Sequence, residues 1–138
     1  MHSTEIREAV KNFWCGIWEE HDKSRMAGLM LPSFKFRGSL GFLRNGFEEF
    51  GQYVDFIHRA LAKYRCEMLD IVVEEDQAFA RMLFSGNHRG DFLGYPPTGK
   101  RLEWFGTALF RFREGKIAEV WALGDIHSLM QLLEQNAS

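Results

Sequence analysis

The stretch from Phe84 to Leu133, FSGNHRGDFLGYPPTGKRLEWFGTALFRFREGKIAEVWALGDIHSLMQLL, decides the fold. It holds the clearest strand patterns in the chain, and we divide it into consecutive β-segments and a short closing helix. Turn residues separate the segments: GYPPTG at 94–99 joins the first to the second, and Glu114-Gly115 joins the second to the third. The C-terminal half is therefore predicted to be an antiparallel meander followed by a helix.

The residues before this stretch predict helices and strands in alternation. Apolar residues recur at helical spacing over 4–30, with a break near His21-Asp22, and again from Gly46 to Tyr64. Alternating or β-branched runs predict strands at 33–41, 66–73 and 78–90. Helices early and a meander late define an α+β class, a curved sheet with helices packed on one face. Such a sheet forms a cone, and a cone leaves an interior pocket.

Composition limits the classes of function. A chain of 138 residues that is 46% hydrophobic fits one domain, 1–138, with its own core. The net charge of -2 argues against binding to nucleic acid. The chain also lacks a run of basic residues that would bind a membrane surface. The charged N-terminus lacks the apolar core of a signal peptide, so we expect a cytoplasmic protein. Cys15 and Cys66 lack the spacing of metal ligands.

Asp125 is the main candidate for a catalytic residue. Strict alternation in the last strand places Trp121, Leu123 and Asp125 on one face and small residues on the other. We expect the Asp125 face to line the interior. Asp125 also precedes an amphipathic run, so it fits two roles: an N-cap of the closing helix, or a general base at the mouth of a ring-lined pocket.

His88, Arg89 and Asp91 follow one another on the first strand of the stretch. Alternation places His88 with apolar side chains, and Arg89 and Asp91 on the opposite, mixed face. A bulge near Ser85 would reverse that assignment. His88 fits either a core histidine or a catalytic one, and Arg89 with Asp91 fits a surface ion pair as well as a functional set.

Aromatic residues provide the candidate walls of a pocket. We expect a small hydrophobic organic substrate to contact Trp14, Trp18, Phe36, Trp121 and Leu123. The stripe that includes Trp14 and Trp18 fits a packed core equally well. The chain has no GxGxxG loop for phosphate, no GxSxG nucleophile and no cluster with metal-ligand spacing.

The C-terminal half resembles the SnoaL-like polyketide cyclases, also called ester cyclases, of the nuclear transport factor 2-like superfamily. The resemblance rests on GNHRGDFLG at 86–94, PPTGK at 96–100, FRF at 110–112, GKI at 115–117, and EVW at 119–121 with the following Asp125. It covers about the last 55 residues closely, whereas the first 80 match only in the order of their elements.

The resemblance implies a cone-shaped α+β fold, a homodimer formed through the sheet, and chemistry without a cofactor or metal. In such cyclases the acid at the position of Asp125 removes a proton next to a carbonyl group, and the resulting enolate closes a ring by aldol condensation. The histidine that matches His88 would steady the enolate oxygen. The chain departs from the aromatic-polyketide cyclases at Leu123, where they commonly carry a second histidine.

Two further hypotheses remain open. Limonene-1,2-epoxide hydrolases share the cone, and Arg89, Asp91 and Asp125 match their three catalytic positions. Those enzymes also hold water with a Tyr and an Asn, where this chain has Phe36 and Gly38. The remaining hypothesis is a protein that binds a small apolar ligand without converting it.

Overall fold

The computed structural model describes all 138 residues as a sheet partly enclosed by helices. Helix α1, Ser3–Asn12, continues into a π-helix at Phe13–Glu19, and a 3₁₀ turn leads into the short α2, Met26–Leu29. The long helix α3 is Gly46–Ala60, and α4 closes the chain at Ile126–Ala137. The strands are β1 Met30–Arg37, β2 Leu43–Asn45, β3 Leu61–Glu74, β4 Gln77–His88, β5 Arg101–Arg113 and β6 Lys116–Gly124.

The six strands form one curved, unclosed sheet in the order β2-β1-β6-β5-β4-β3. The pairs from β3 to β6 are antiparallel and follow the chain, as the predicted meander requires. Strand β1 pairs with β2 in antiparallel fashion but lies parallel to β6. The prediction of an α+β fold with a curved antiparallel sheet is therefore confirmed, although no sequence pattern indicated the parallel pair.

The bounds of several elements differ from the sequence prediction; for example, β1 is Met30–Arg37 and not 33–41, and β3 is Leu61–Glu74 and not 66–73. Helix α3 ends at Ala60, and not at Tyr64, because the backbone oxygen of Ala60 accepts the N–H groups of Arg89 and Gly90. The next residue, Leu61, pairs with His88 and already belongs to β3. The short strand β2 was not predicted, because its three residues are too few to show an alternation of apolar and polar side chains.

The inner face of the sheet is lined by small residues at its centre. Ala80, Ala108 and Ala122 are cross-strand neighbours on β4, β5 and β6, and all are buried. In the next row, Gly106 lies between Met82 and Gly124. Small side chains at these positions leave room for rings carried by the helices.

Phe13 lies at the centre of those rings. Its ring stacks on Phe50 of α3 with centroids 5.7 Å apart, and its edge meets Phe110 of β5 at 5.2 Å. Phe34 of β1 packs against Phe50 at 5.1 Å. Since these residues come from the π-helix, α3, β1 and β5, this cluster ties the helices to the sheet, and each pair adds about 0.5–1.5 kcal/mol beyond area burial.

The outer face of the same strands carries large apolar residues. Val72, Phe79, Leu109 and Trp121 are consecutive cross-strand neighbours on β3, β4, β5 and β6, and we call them the outer-face row. No element of the chain covers this row: Val72 is 64% exposed and Trp121 47%. Exposed apolar patches of this kind mark interaction surfaces.

We expect Gly90→Ala to destabilise the fold and Gly28→Ala to leave it intact. A Cβ at residue 90 would press into the backbone oxygen of Arg59, which cannot move without disturbing the end of α3. The expected loss is more than about 1 kcal/mol of unfolding free energy in urea denaturation. A Cβ at residue 28 meets nothing within 4 Å and lies in a helix, so that variant is the control. Equal stability of the two variants would contradict this account of the loop.

Candidate functional site

A cavity lies between the inner face of the sheet and the helices, with a volume of about 40 Å³. It holds roughly two or three water molecules, far less than the 300–1,000 Å³ or so of a typical ligand pocket. Of its 14 lining residues 13 are hydrophobic, and none is charged: Trp14, Trp18, Phe36, Ser39, Leu40, Tyr53, Ile57, Tyr64, Phe84, Phe92, Trp104, Ala122, Ile126 and Leu129.

The polar atoms around this cavity are few and poorly paired. The indole Nε1 atoms of Trp14 and Trp18 are buried and have no hydrogen-bond partner. Burial raises the pKa of Tyr53 to about 12, so its hydroxyl stays protonated and able to donate. The interior is thus a donor-rich but uncharged environment.

His88 lies on the inner face of β4, as the alternation predicts, and no bulge interrupts it there. The side chain is fully buried, and neither ring nitrogen has a hydrogen-bond partner. Its ring centroid lies 6.4 Å from that of Phe92, which lines the cavity. His88 therefore lies one ring away from the cavity, and is an imidazole with both nitrogens unused.

Asp125 lies outside the interior and caps α4. Its carboxylate accepts the backbone N–H of Ser128 at 3.1 Å and the Ser128 hydroxyl at 2.7 Å. The hydroxyl bond is the main cause that lowers the pKa of Asp125 below its usual value. The expected N-cap is present, whereas the expected orientation toward the interior is wrong, because the side chain is exposed. Its role as a base stays a prediction that this geometry does not favour.

The prediction of which face of β6 lines the interior is also wrong. Val120 and Ala122 face the interior, while Trp121 and Leu123 are 47% and 48% exposed on the outer face. The reason is that the helices fill the inner side with rings, so the strand turns its small residues inward. Of the five predicted wall residues, Trp14, Trp18 and Phe36 do line the cavity. Substrate contact remains a prediction for all five.

Arg89 and Asp91 do not join Asp125 at any shared site. The guanidinium of Arg89 donates from Nε to the backbone oxygen of His58 at 3.0 Å, at the C-terminal end of α3. Asp91 is exposed and forms no ion pair with Arg89. Asp125 instead borders a surface groove together with Phe105, Thr107 and Leu123. The triad of the hydrolase hypothesis is therefore not assembled in this structure.

Several wall residues were missed by the sequence analysis. Tyr53 lies three residues after Phe50 and four before Ile57, so its place on the buried stripe of α3 could have been predicted. Trp104 shares the inner face of β5 with Leu102 and Ala108, which the alternation of that strand indicates. Ser39 and Leu40 lie in the loop after β1, and no pattern points to them.

No group of three or more His, Cys, Asp or Glu side chains is arranged to hold a metal ion. None of the helices has both the length and the apolar character needed to cross a membrane.

Residues 7–133 match the family model of the SnoaL-like polyketide cyclases. The match extends over most of the chain, including the N-terminal half, where the sequence resemblance rested on element order alone. The protein belongs to the SnoaL-like polyketide cyclase family. A comparison with curated proteins finds no match.

Solved structures agree on the fold, which is that of the nuclear transport factor 2-like proteins. A proposed SnoaL-like polyketide cyclase from Jannaschia sp. CCS1 superposes with a TM-score of 0.86 at 20% identity, covering 94% of this chain and 92% of the other. TsrD from Streptomyces laurentii gives 0.85 at 24% identity, covering 96% and 97%. AclR from Streptomyces galilaeus, a proposed hydroxylase, gives 0.84 at 22% identity, covering 97% and 87%.

We expect Asp125→Ala to lower the urea midpoint at pH 7, and Asp125→Asn to leave it nearly unchanged, because Asn caps a helix as well as Asp does. The lowered pKa of Asp125 means that its stabilisation is present above pH 3.8 and is lost as the pH falls below that value. The gap between wild type and the Ala variant should therefore shrink at pH 3. An Ala variant as stable as wild type at pH 7 would refute the cap.

Proposed function

We propose that this protein is a cyclase-type enzyme that binds a small, uncharged, hydrophobic carbonyl compound inside the cone. The observation that carries the proposal is the combination of a ring-walled cavity with a fully buried imidazole that has no partner. The family supports a cyclase-type reaction in general terms. The substrate and the mechanism below are our proposal.

In this mechanism His88 replaces Asp125 as the proton acceptor. A nitrogen of His88 takes the proton from the carbon next to a carbonyl group, and the electron pair of that C–H bond becomes the enolate. The enolate carbon bonds to a second carbonyl carbon of the same molecule, and the oxygen there receives the proton from His88. The step consumes no other reactant. Apolar walls favour it by folding a flexible chain into a reactive shape.

The substrate must enlarge the cavity to bind. A volume of about 40 Å³ does not admit an aromatic ketone. Phe92 lines the cavity next to His88 and lies in the loop between β4 and β5, where Leu93 and Gly94 both have positive φ. We propose that displacement of this ring opens the way to His88.

The mechanism can be tested before the natural substrate is known. Exchange of the acetophenone methyl protons for deuterium reports the first step alone, and NMR can follow it in D₂O. We expect wild-type protein to accelerate this exchange, and His88→Gln to slow it by about 10²-fold or more, since a general base typically contributes 10²–10⁴-fold. Asp125→Asn keeps its cap and is the matched control, with exchange as in wild type.

The opposite pattern, loss in Asp125→Asn and retention in His88→Gln, would restore Asp125 as the base and overturn the role of His88. Absence of exchange in wild type across a panel of aromatic ketones would favour the alternative of a binding protein without turnover. The exposed position of Asp125 is the observation that favours this alternative. Circular dichroism of each variant separates loss of function from loss of fold.

We also propose that two copies of the chain associate through the outer-face row. A two-fold interface brings the same surface together with itself, so the surface must not repel its own copy. The rows on either side of the outer-face row meet this condition, because each contains side chains of both charges. Arg111 lies opposite Glu119 on one side, and Arg81 pairs with Asp70 on the other.

Light scattering after gel filtration tests the association. Wild-type protein should have twice the 16.1 kDa mass of one chain, and Trp121→Glu should have the mass of one chain with its fold retained. Phe42→Glu is the matched control, since Phe42 is 64% exposed but lies in the loop after β1, away from the row. A monomeric wild type would refute the proposal.

A further inference from the structure

Trp14 and Trp18 are both carried by the π-helix Phe13–Glu19 and both line the cavity. Each side chain is only 3% exposed, and each indole Nε1 is buried without a hydrogen-bond partner. A π-helix is a rare conformation that occurs frequently at functional sites. Two independent features, the helix type and the unused donors, therefore coincide at the same pair of residues.

Aromatic rings surround the two indoles. Trp14 lies against Phe13, Phe84 and Phe110, and Trp18 lies against Phe36, Phe50, Tyr53 and Tyr64. An N–H group directed at the face of an aromatic ring forms a contact that is weaker than an ordinary hydrogen bond. A donor left in this state retains most of the desolvation penalty of an unsatisfied buried polar group.

Packing alone does not account for this cost. The core already uses Phe for ring packing at Phe13, Phe34, Phe50 and Phe110, and a phenyl ring brings no donor that needs a partner. The indole N–H groups would recover this loss if a ligand that enlarges the cavity reached them and accepted their hydrogen bonds.

We propose that the Trp14 and Trp18 indoles form a subsite that binds carbonyl oxygen of an uncharged aromatic ketone or a related carbonyl compound. Each donor needs one lone pair, and a carbonyl oxygen has two. Because no charged residue lines the cavity, a carboxylate or phosphate would lie there without a counter-ion, which disfavours anionic ligands. This inference rests on the proposed function, whose ligand it specifies.

Acetophenone and α-methylstyrene form a matched pair of probes, because they differ only in a C=O group replaced by C=CH₂. Wild-type protein should bind the ketone about tenfold more tightly, as expected for one or two added hydrogen bonds. Trp14→Phe and Trp18→Phe should each reduce this preference. Trp104→Phe trims an indole from the same cavity without touching either unpaired donor, so it should weaken both probes alike and keep the preference.

Indole NMR resonances provide a direct signature. The chain has four Trp residues, and their ¹⁵N–¹H signals can be assigned from the Phe variants. Acetophenone should move the Trp14 and Trp18 indole protons downfield relative to α-methylstyrene, since ring currents are common to both probes. Trp121, on the outer face, is an internal control that should not move.

Equal affinities for the two probes in wild type, or a preference that survives in both Trp variants, would overturn the subsite. Failure of both probes to bind would overturn it as well. Preferential ketone binding with the downfield shifts, but without deuterium exchange, would establish the subsite and refute the proposed catalysis. The two proposals therefore fail separately.

Discussion

The small inner face of the sheet is the constraint on which the rest of the structure depends. Ala80, Ala108 and Ala122 cross three strands side by side, and larger residues there would collide with the rings of the helices. Because the sheet leaves this room, Phe13 and its neighbours from the π-helix and α3 can fill it. The same arrangement leaves the cavity with walls that are mostly aromatic.

Because side chains alternate along each strand, the small residues on the inner face also determine which residues lie on the outer face. A strand that turns alanine inward turns its next residue outward, so Ala122 and Ala80 are accompanied by Trp121 and Phe79 on the other face. The large residues of β4 to β6 thus form an exposed row because the inner positions are reserved for small ones. The interpretation that the Trp-bearing face of β6 lines the interior was wrong for the same reason, because the inner face of β6 carries the small residue Ala122 and the rings of the interior come from other elements.

Much of the fold was predictable because hydrophobic periodicity is a local property. The meander from β3 to β6 and the helices α1, α3 and α4 follow from spacing and turn residues alone. The inward side of β6, the parallel contact of β1 with β6 and the π-helix depend on packing between distant segments. The site divides in the same way: the burial of His88 follows from alternation, whereas the exposure of Asp125 depends on how α4 leaves the sheet.

The buried polar atoms of the interior help to distinguish a binding site from a purely structural core. Five buried side-chain N and O atoms in the structure have no partner, and four of them belong to Trp14, Trp18 and His88. Unsatisfied groups scattered through a core would be ordinary imperfections, but here they gather around one cavity and the ring beside it. All four could be removed by Phe or Leu, residues that this chain uses freely in the same core. Their presence together at a single place supports the proposal of a ligand that completes their hydrogen bonds.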